Sequence, residues 1–206
     1  SMTQTKQLCS TAITLPDSLE AVNDYFYSRG YTDGLPIVSP TKERVEAMIE
    51  AAGRNGNEII AKLPPTLGQA TVEKVAINAV MAGCEPSYMP AIIAAIEAMA
   101  DERFPLQTIQ STTNPGGPML IINGPIRHRL KVNCSSNALG PGQKANATIG
   151  RVIRLLLVNI GGAKPGLVDK ATQGMPGKYT FCFGEHEEES PWEPLHVERG
   201  FALDQS

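Results

Sequence analysis

Aromatic residues are scarce in this 206-residue chain: Phe, Trp and Tyr together make up 5%, with a single tryptophan, Trp192. That scarcity disfavours a nucleic-acid surface built on stacking. The charge balance disfavours an electrostatic one, because 18 Lys and Arg stand against 21 Asp and Glu, for a net −3 at pH 7. Arg127, Arg129 and Lys131 form the one basic knot, and it is short. No apolar run reaches the ~20 residues that span a bilayer, since Arg154 interrupts the stretch 149–160 and Gly161 ends it. Cysteine is present but unpatterned. Cys9, Cys84, Cys134 and Cys182 lie far apart without CxxC spacing, which argues against a zinc ribbon or a thioredoxin-type dithiol. Histidine offers no HExxH either, so no metal site is expected. Residues 3–14 lack a basic-then-apolar leader pattern, which points to a reduced, cytoplasmic protein.

What is there suits one sizeable domain. We expect residues 15–206 to form it, behind a flexible stretch 1–14 that begins with Ser1-Met2, a tag-like remnant. Helical spacing of apolar residues predicts helices over 17–29, from Ser39-Pro40 to Ala52, from Thr71 to Ala82 and from Ser87 to Met99; the last is almost wholly apolar and should be central. Short strands are expected at 57–62, 106–110, 119–123 and 178–183. The fold class is therefore α+β, several helices packed on a small mixed sheet.

The stretch 133–164 carries the strongest signal. A polar loop broken by Gly140, Pro141 and Gly142 runs into a helix whose Ile149, Val152, Ile153, Leu155, Leu156 and Leu157 are too continuous for a surface position. Asn146 and Thr148 are residue types that cap a helix start. The unpaired N–H groups and partial positive charge of such a start attract carboxylate or phosphate, and Lys144, Arg151 and Arg154 would strengthen that. Asn137, Gly140, Gly142, Lys144, Asn146, Thr148 and Arg151 are accordingly the candidate ligand-binding set. The spacing fits neither a P-loop nor a dinucleotide fingerprint, and a loop that needs glycine only to turn has the same appearance.

Residues 184–201, GEHEEESPWEPLHVERGF, form the second unusual region. Such an acidic run is commonly a solvated face. Trp192, clamped by Pro191 and Pro194, would instead pin it to the body, leaving His196 with a glutamate such as Glu188 as an acid–base pair. His128, between two arginines, reads as surface.

Several segments carry a resemblance. YTDGLPIVSPTKERVEAM, ATVEKVAINAVMAGCEPSYMPAIIAAIEAM, NALGPGQKANATIGRVIRLLLVNIGGAKPG, TQGMPGKY and SPWEPLHVERGF together resemble the second domain, or partner protein, of bacterial UGSC-motif (seleno)proteins, over roughly residues 25–201. No Cys-Gly-Ser-Cys occurs here, so the resemblance implies a subunit that works beside a UGSC-type partner supplying the redox motif. Cys84 falls inside the matching MAGCEPSY element, as a candidate nucleophile or as a packed thiol.

Two functional expectations follow. One is an enzyme or catalytic subunit acting on a small anionic molecule, a lyase or hydratase or a thiol-linked reductase, using His196, Glu188 and Cys84 with Asp33 as an orienting group. Asp33 before Gly34 also reads as a plain turn residue. The alternative is a non-catalytic partner subunit that packs its alanine-rich helix against another chain. Either implies a homo- or hetero-oligomer, and no cofactor is indicated.

Overall fold

The computed structural model describes residues 8–206, so Ser1-Met2 lies outside the described residues. In chain order the elements are α1 (Leu19–Ser28), α2 (Lys42–Ala52), β1 (Ile59–Leu63), β2 (Gly68–Thr71), α3 (Val72–Ala82), α4 (Met89–Ala100) and α5 (Leu106–Gln110). There follow β3 (Leu120–Ile122), α6 (Ile126–Arg129), α7 (Lys144–Asn159), β4 (Cys182–Gly184) and α8 (Leu195–Glu198). The result is a single-domain α+β fold. Among the described residues the strands form two small sheets rather than one, β1–β2 antiparallel and β3–β4 parallel.

Helix α7 is the axis of the core. Ile149, Val152, Ile153, Leu155, Leu156 and Leu157 are all buried, packed with Val75, Ala76 and Ala79 of α3 and Ile92 and Ile96 of α4. Burying one such side chain is worth about 1.5–3 kcal/mol, so this helix carries a large share of the apolar drive. The β1–β2 hairpin closes on the end of α7: Thr66 donates its N–H to Gly161 O at 3.0 Å. A Cβ at Gly68 would lie 2.0 Å from Ile160 O, so glycine is required at that crossing.

Side-chain caps set three helix starts: Ser18 for α1, Thr41 for α2 and Thr71 for α3 each accept an N–H from three residues on. Helices α1 and α2 therefore start at Leu19 and Lys42, slightly later than the expected 17 and Ser39-Pro40. At α2 and α3 the chain leaves through Gly53 and Gly83 in left-handed conformation.

Four expectations change. Residues 106–110 are helical, because one helical turn puts Leu106 and Gln110 on the same buried face. Of 178–183 only the end is strand, since Pro176–Lys178 forms a 3-10 turn. Helix α4 is central on one side only: Ile92, Ile93 and Ile96 are buried, while Pro90, Ala94 and Ala98 are exposed. The stretch before α1 is held to the body at Cys9 and Ser10, which donate their N–H groups to Glu73 at 2.9 and 2.7 Å. Burial works against the Glu73 charge, but these hydrogen bonds hold its carboxyl below the ordinary range.

Candidate functional site

The loop before α7 spends its polar groups on itself. Gln143 occupies the cap position without capping the helix through its side chain, which donates instead to Lys131 O at 2.7 Å, so neither Asn146 nor Thr148 caps the helix. The buried Asn146 amide instead accepts from Asn133 N–H at 2.8 Å and donates to Asn133 O and Ala138 O, stapling the loop closed. Asn137 donates to Pro141 O, and a Cβ on Gly140 would strike the Asn137 side chain. Thr148 donates back to Lys144 O at 2.8 Å, and Lys144 pairs with Glu85 at 3.1 Å in solvent. Gly142, at φ +124°, supplies a turn that other residues resist. None of these residues lines either of the two cavities described below.

Arg151, the remaining member of that set, points elsewhere. Its guanidinium grips Asp33 through Nε at 2.8 Å and Nη2 at 2.9 Å, and Nη2 also donates to Pro36 O at 2.8 Å. Asp33 is thus the counter-ion of Arg151, fixing the segment after α1 onto α7.

Three positions further along α7 lies a different arginine. Arg154 is 8% exposed, and no carboxylate lies within 4 Å of it among the described residues. Its Nε donates to Lys178 O at 2.9 Å and its Nη1 to Gln110 Oε1 at 3.1 Å; Nη2 has no hydrogen-bond partner among the described residues. Gln110, 1% exposed, turns its oxygen to the guanidinium, which leaves its Nε2 without a partner. Flipping that amide would set a donor against a donor, so the orphaned Nε2 follows from Arg154 itself. Burial pulls the guanidinium below its usual range, opposed by the charge of Asp169. A buried charge with spare donors and no counter-ion is costly unless a partner arrives.

Arg154 lines a cavity of about 760 Å³, within the roughly 300–1,000 Å³ range of small-molecule sites. Its walls come from the turn at Thr32–Gly34, from the loop around Pro165–Asp169 and from Gln173–Tyr179. Lys178 sits in the same wall and pairs with Asp169 at 2.7 Å. Val158, Pro165, Met175 and Pro176 supply apolar surface. The Arg154 signal was visible in the sequence as a charge inside an apolar helix. Lys178, Asp169 and Gln110 had no such signal, because only the fold brings them there.

The acid–base pair of the tail is rearranged. His196 is buried and lines a second cavity of about 670 Å³ with Ala91, Ala95, Ile122 and Ile126. The two cavities share no residue. Facing His196 is Glu187, 3.8 Å from Nδ1, rather than Glu188. Glu188 pairs with Arg127 at 2.9 Å and with the exposed His128 at 3.1 Å. Trp192 does not anchor the tail: it is 79% exposed. Arg127 does, as a buried cation holding both Glu187 and Glu188 rather than part of a surface knot. Cys84 is buried, donates its thiol to Thr148 O at 3.2 Å and lines neither cavity; burial pushes the thiol up to about 12.

The class these features define is a single-domain α+β protein with an open cavity beside its central helix, into which a buried arginine reaches. No helix among the described residues is long and apolar enough to cross a membrane, and no group of His, Cys, Asp or Glu among them is arranged to hold a metal. Comparison of the chain with protein-family profiles, with curated proteins and with solved structures returned no match. Function therefore rests on the geometry.

Proposed function

We propose that this protein binds a small organic anion in the Arg154 cavity and is an enzyme or catalytic subunit that acts on it by acid–base chemistry. The observation that carries the reading is the buried Arg154 guanidinium, with a free Nη2 and no acidic partner among the described residues. A carboxylate placed there would complete a charge-assisted pair with a guanidinium that is itself largely buried. Lys178 lines the same cavity, its backbone carbonyl accepting from Arg154 and its ammonium held by Asp169, and is the proton donor assigned to this site. Thiol-linked chemistry has less support, because Cys84 is enclosed and protonated away from the cavity.

Thermal shift with short carboxylates tests the binding step. A ligand at one hundred times its dissociation constant adds roughly 2.7 kcal/mol of stability. The shift should vanish in Arg154→Gln and persist in Lys144→Ala, whose exposed pair with Glu85 lies outside the cavity. A shift that persists in Arg154→Gln removes the reading. Proton exchange next to the carbonyl of a bound 2-oxo acid in deuterium oxide, lost in Lys178→Met, tests the chemistry.

A second reading, a partner subunit of a UGSC-type protein, is favoured by the apolar face of α4. Pro90, Ala94 and Ala98 are exposed beside Met119 and Ile121 on the second cavity. Exposed apolar surface of this kind suits a subunit contact. Mass measurement in solution separates a lone chain from a homo- or hetero-oligomer.

A further inference from the structure

The Arg154 cavity also bears on which anion fits. Two acidic side chains stand in its wall, and both are committed to cations of the protein. Asp33 is held by Nε and Nη2 of Arg151 and also accepts the Leu35 N–H at 3.1 Å. Asp169 receives Lys178 on both oxygens, at 2.9 and 2.7 Å, and accepts the Ala171 N–H at 3.1 Å. Lys178 answers Asp169, and Arg151 answers Asp33 from outside the wall. One positive charge, Arg154, is left over. Beyond it the walls turn apolar at Val158, Pro165, Met175 and Pro176.

The structure assigns this cavity to a monocarboxylate with an apolar body and no free ammonium group, an assignment that rests on the anion site proposed above. A single carboxylate neutralises the guanidinium and takes its free donor. An amino acid of the same length brings its ammonium beside Lys178 and Arg154, where both carboxylates are already occupied, and must desolvate that charge without a partner. A dicarboxylate or phosphate monoester brings a second negative charge for which the wall has no free cation, and its far end meets apolar surface.

A matched six-carbon series tests this by calorimetric titration of the purified protein: hexanoate, 2-aminohexanoate, hexanedioate and neutral hexanamide. Hexanoate should bind at least tenfold tighter than each of the others, a difference of about 1.4 kcal/mol. Equal binding of 2-aminohexanoate, or tighter binding of hexanedioate, overturns the assignment while leaving the anion site standing, provided hexanoate still requires Arg154. Equal binding of hexanamide, or no binding of any probe, overturns the anion site as well. Asp169→Asn supplies an independent readout: it releases Lys178 as a second free cation, so the preference should move toward hexanedioate. An unchanged ratio in a folded Asp169→Asn protein counts against the charge argument.

Discussion

Arg151 and Asp33 stand 118 positions apart in the chain and meet through two hydrogen bonds of 2.8 and 2.9 Å. The Asp33 side chain is 3% exposed, so the pair is a buried bolt between the segment after α1 and the central helix. Removing one partner of a buried pair costs about 3–5 kcal/mol, because the other charge is left without compensation. Asp33→Asn should therefore lower the unfolding free energy measured in urea by that amount; a loss below about 1 kcal/mol, the range of exposed pairs, would show that the pair is solvated.

The centre of α7 allows no charge. Ile153→Asp or Leu156→Asp puts a carboxylate among α3 and α4 and should abolish folding, whereas Leu156→Ala should cost about 2–5 kcal/mol and remain folded. Circular dichroism and urea unfolding distinguish these cases, and a folded Leu156→Asp would mean that the helix has an open side.

Thiol accessibility follows burial. Cys9 is exposed, whereas burial raises Cys84 and Cys182 to about 12. Iodoacetamide at pH 8 should label Cys9 readily and leave Cys84 and Cys182 unmodified until the protein is unfolded. Labelling of Cys84 in the native protein at a rate near that of Cys9 would restore it as a nucleophile.

The tail should loosen in acid. The hydrogen bond from Arg127 holds the Glu188 carboxyl down to about 2, against an ordinary 4.5. Its contribution is complete above pH 4.5 and is lost as the pH falls toward 2, since the protonated acid no longer pairs. Glu188 is half-exposed, so solvent screening keeps the effect at or below about 1 kcal/mol. Glu188→Gln should lower stability at pH 7 by at most about 1 kcal/mol and converge with the wild type near pH 2, flattening the curve in between; an undiminished slope would place that pH dependence in other carboxylates.

Much of the helical framework was legible because apolar periodicity acts locally. The buried run of α7 and the starts and stops of α2 and α3 follow from side-chain spacing, capping hydroxyls and glycines within a few residues. Residues 106–110 were misread because five positions fit either period, and only the shared buried face of Leu106 and Gln110 decides for helix. The loop at 133–143 was recognised as polar and glycine-rich. Its side chains, though, could serve a ligand or the loop, and local sequence does not distinguish the two.

By itself the sequence determined the α+β class, the central apolar helix and the absence of any charge excess suited to nucleic acid, since these depend on composition and near-neighbour spacing. Tertiary structure alone decided which cations are free. Arg151 and Arg154 stand in the same apolar helix and Arg127 in a short basic stretch, and none of these settings shows which cation is paired. Folding brings Asp33 to the first and Glu187 with Glu188 to the third, and leaves Arg154 in a cavity with Gln110 and Lys178. A charge becomes a binding site or a bolt according to what lies within about 4 Å of it, and those neighbours come from distant parts of the chain.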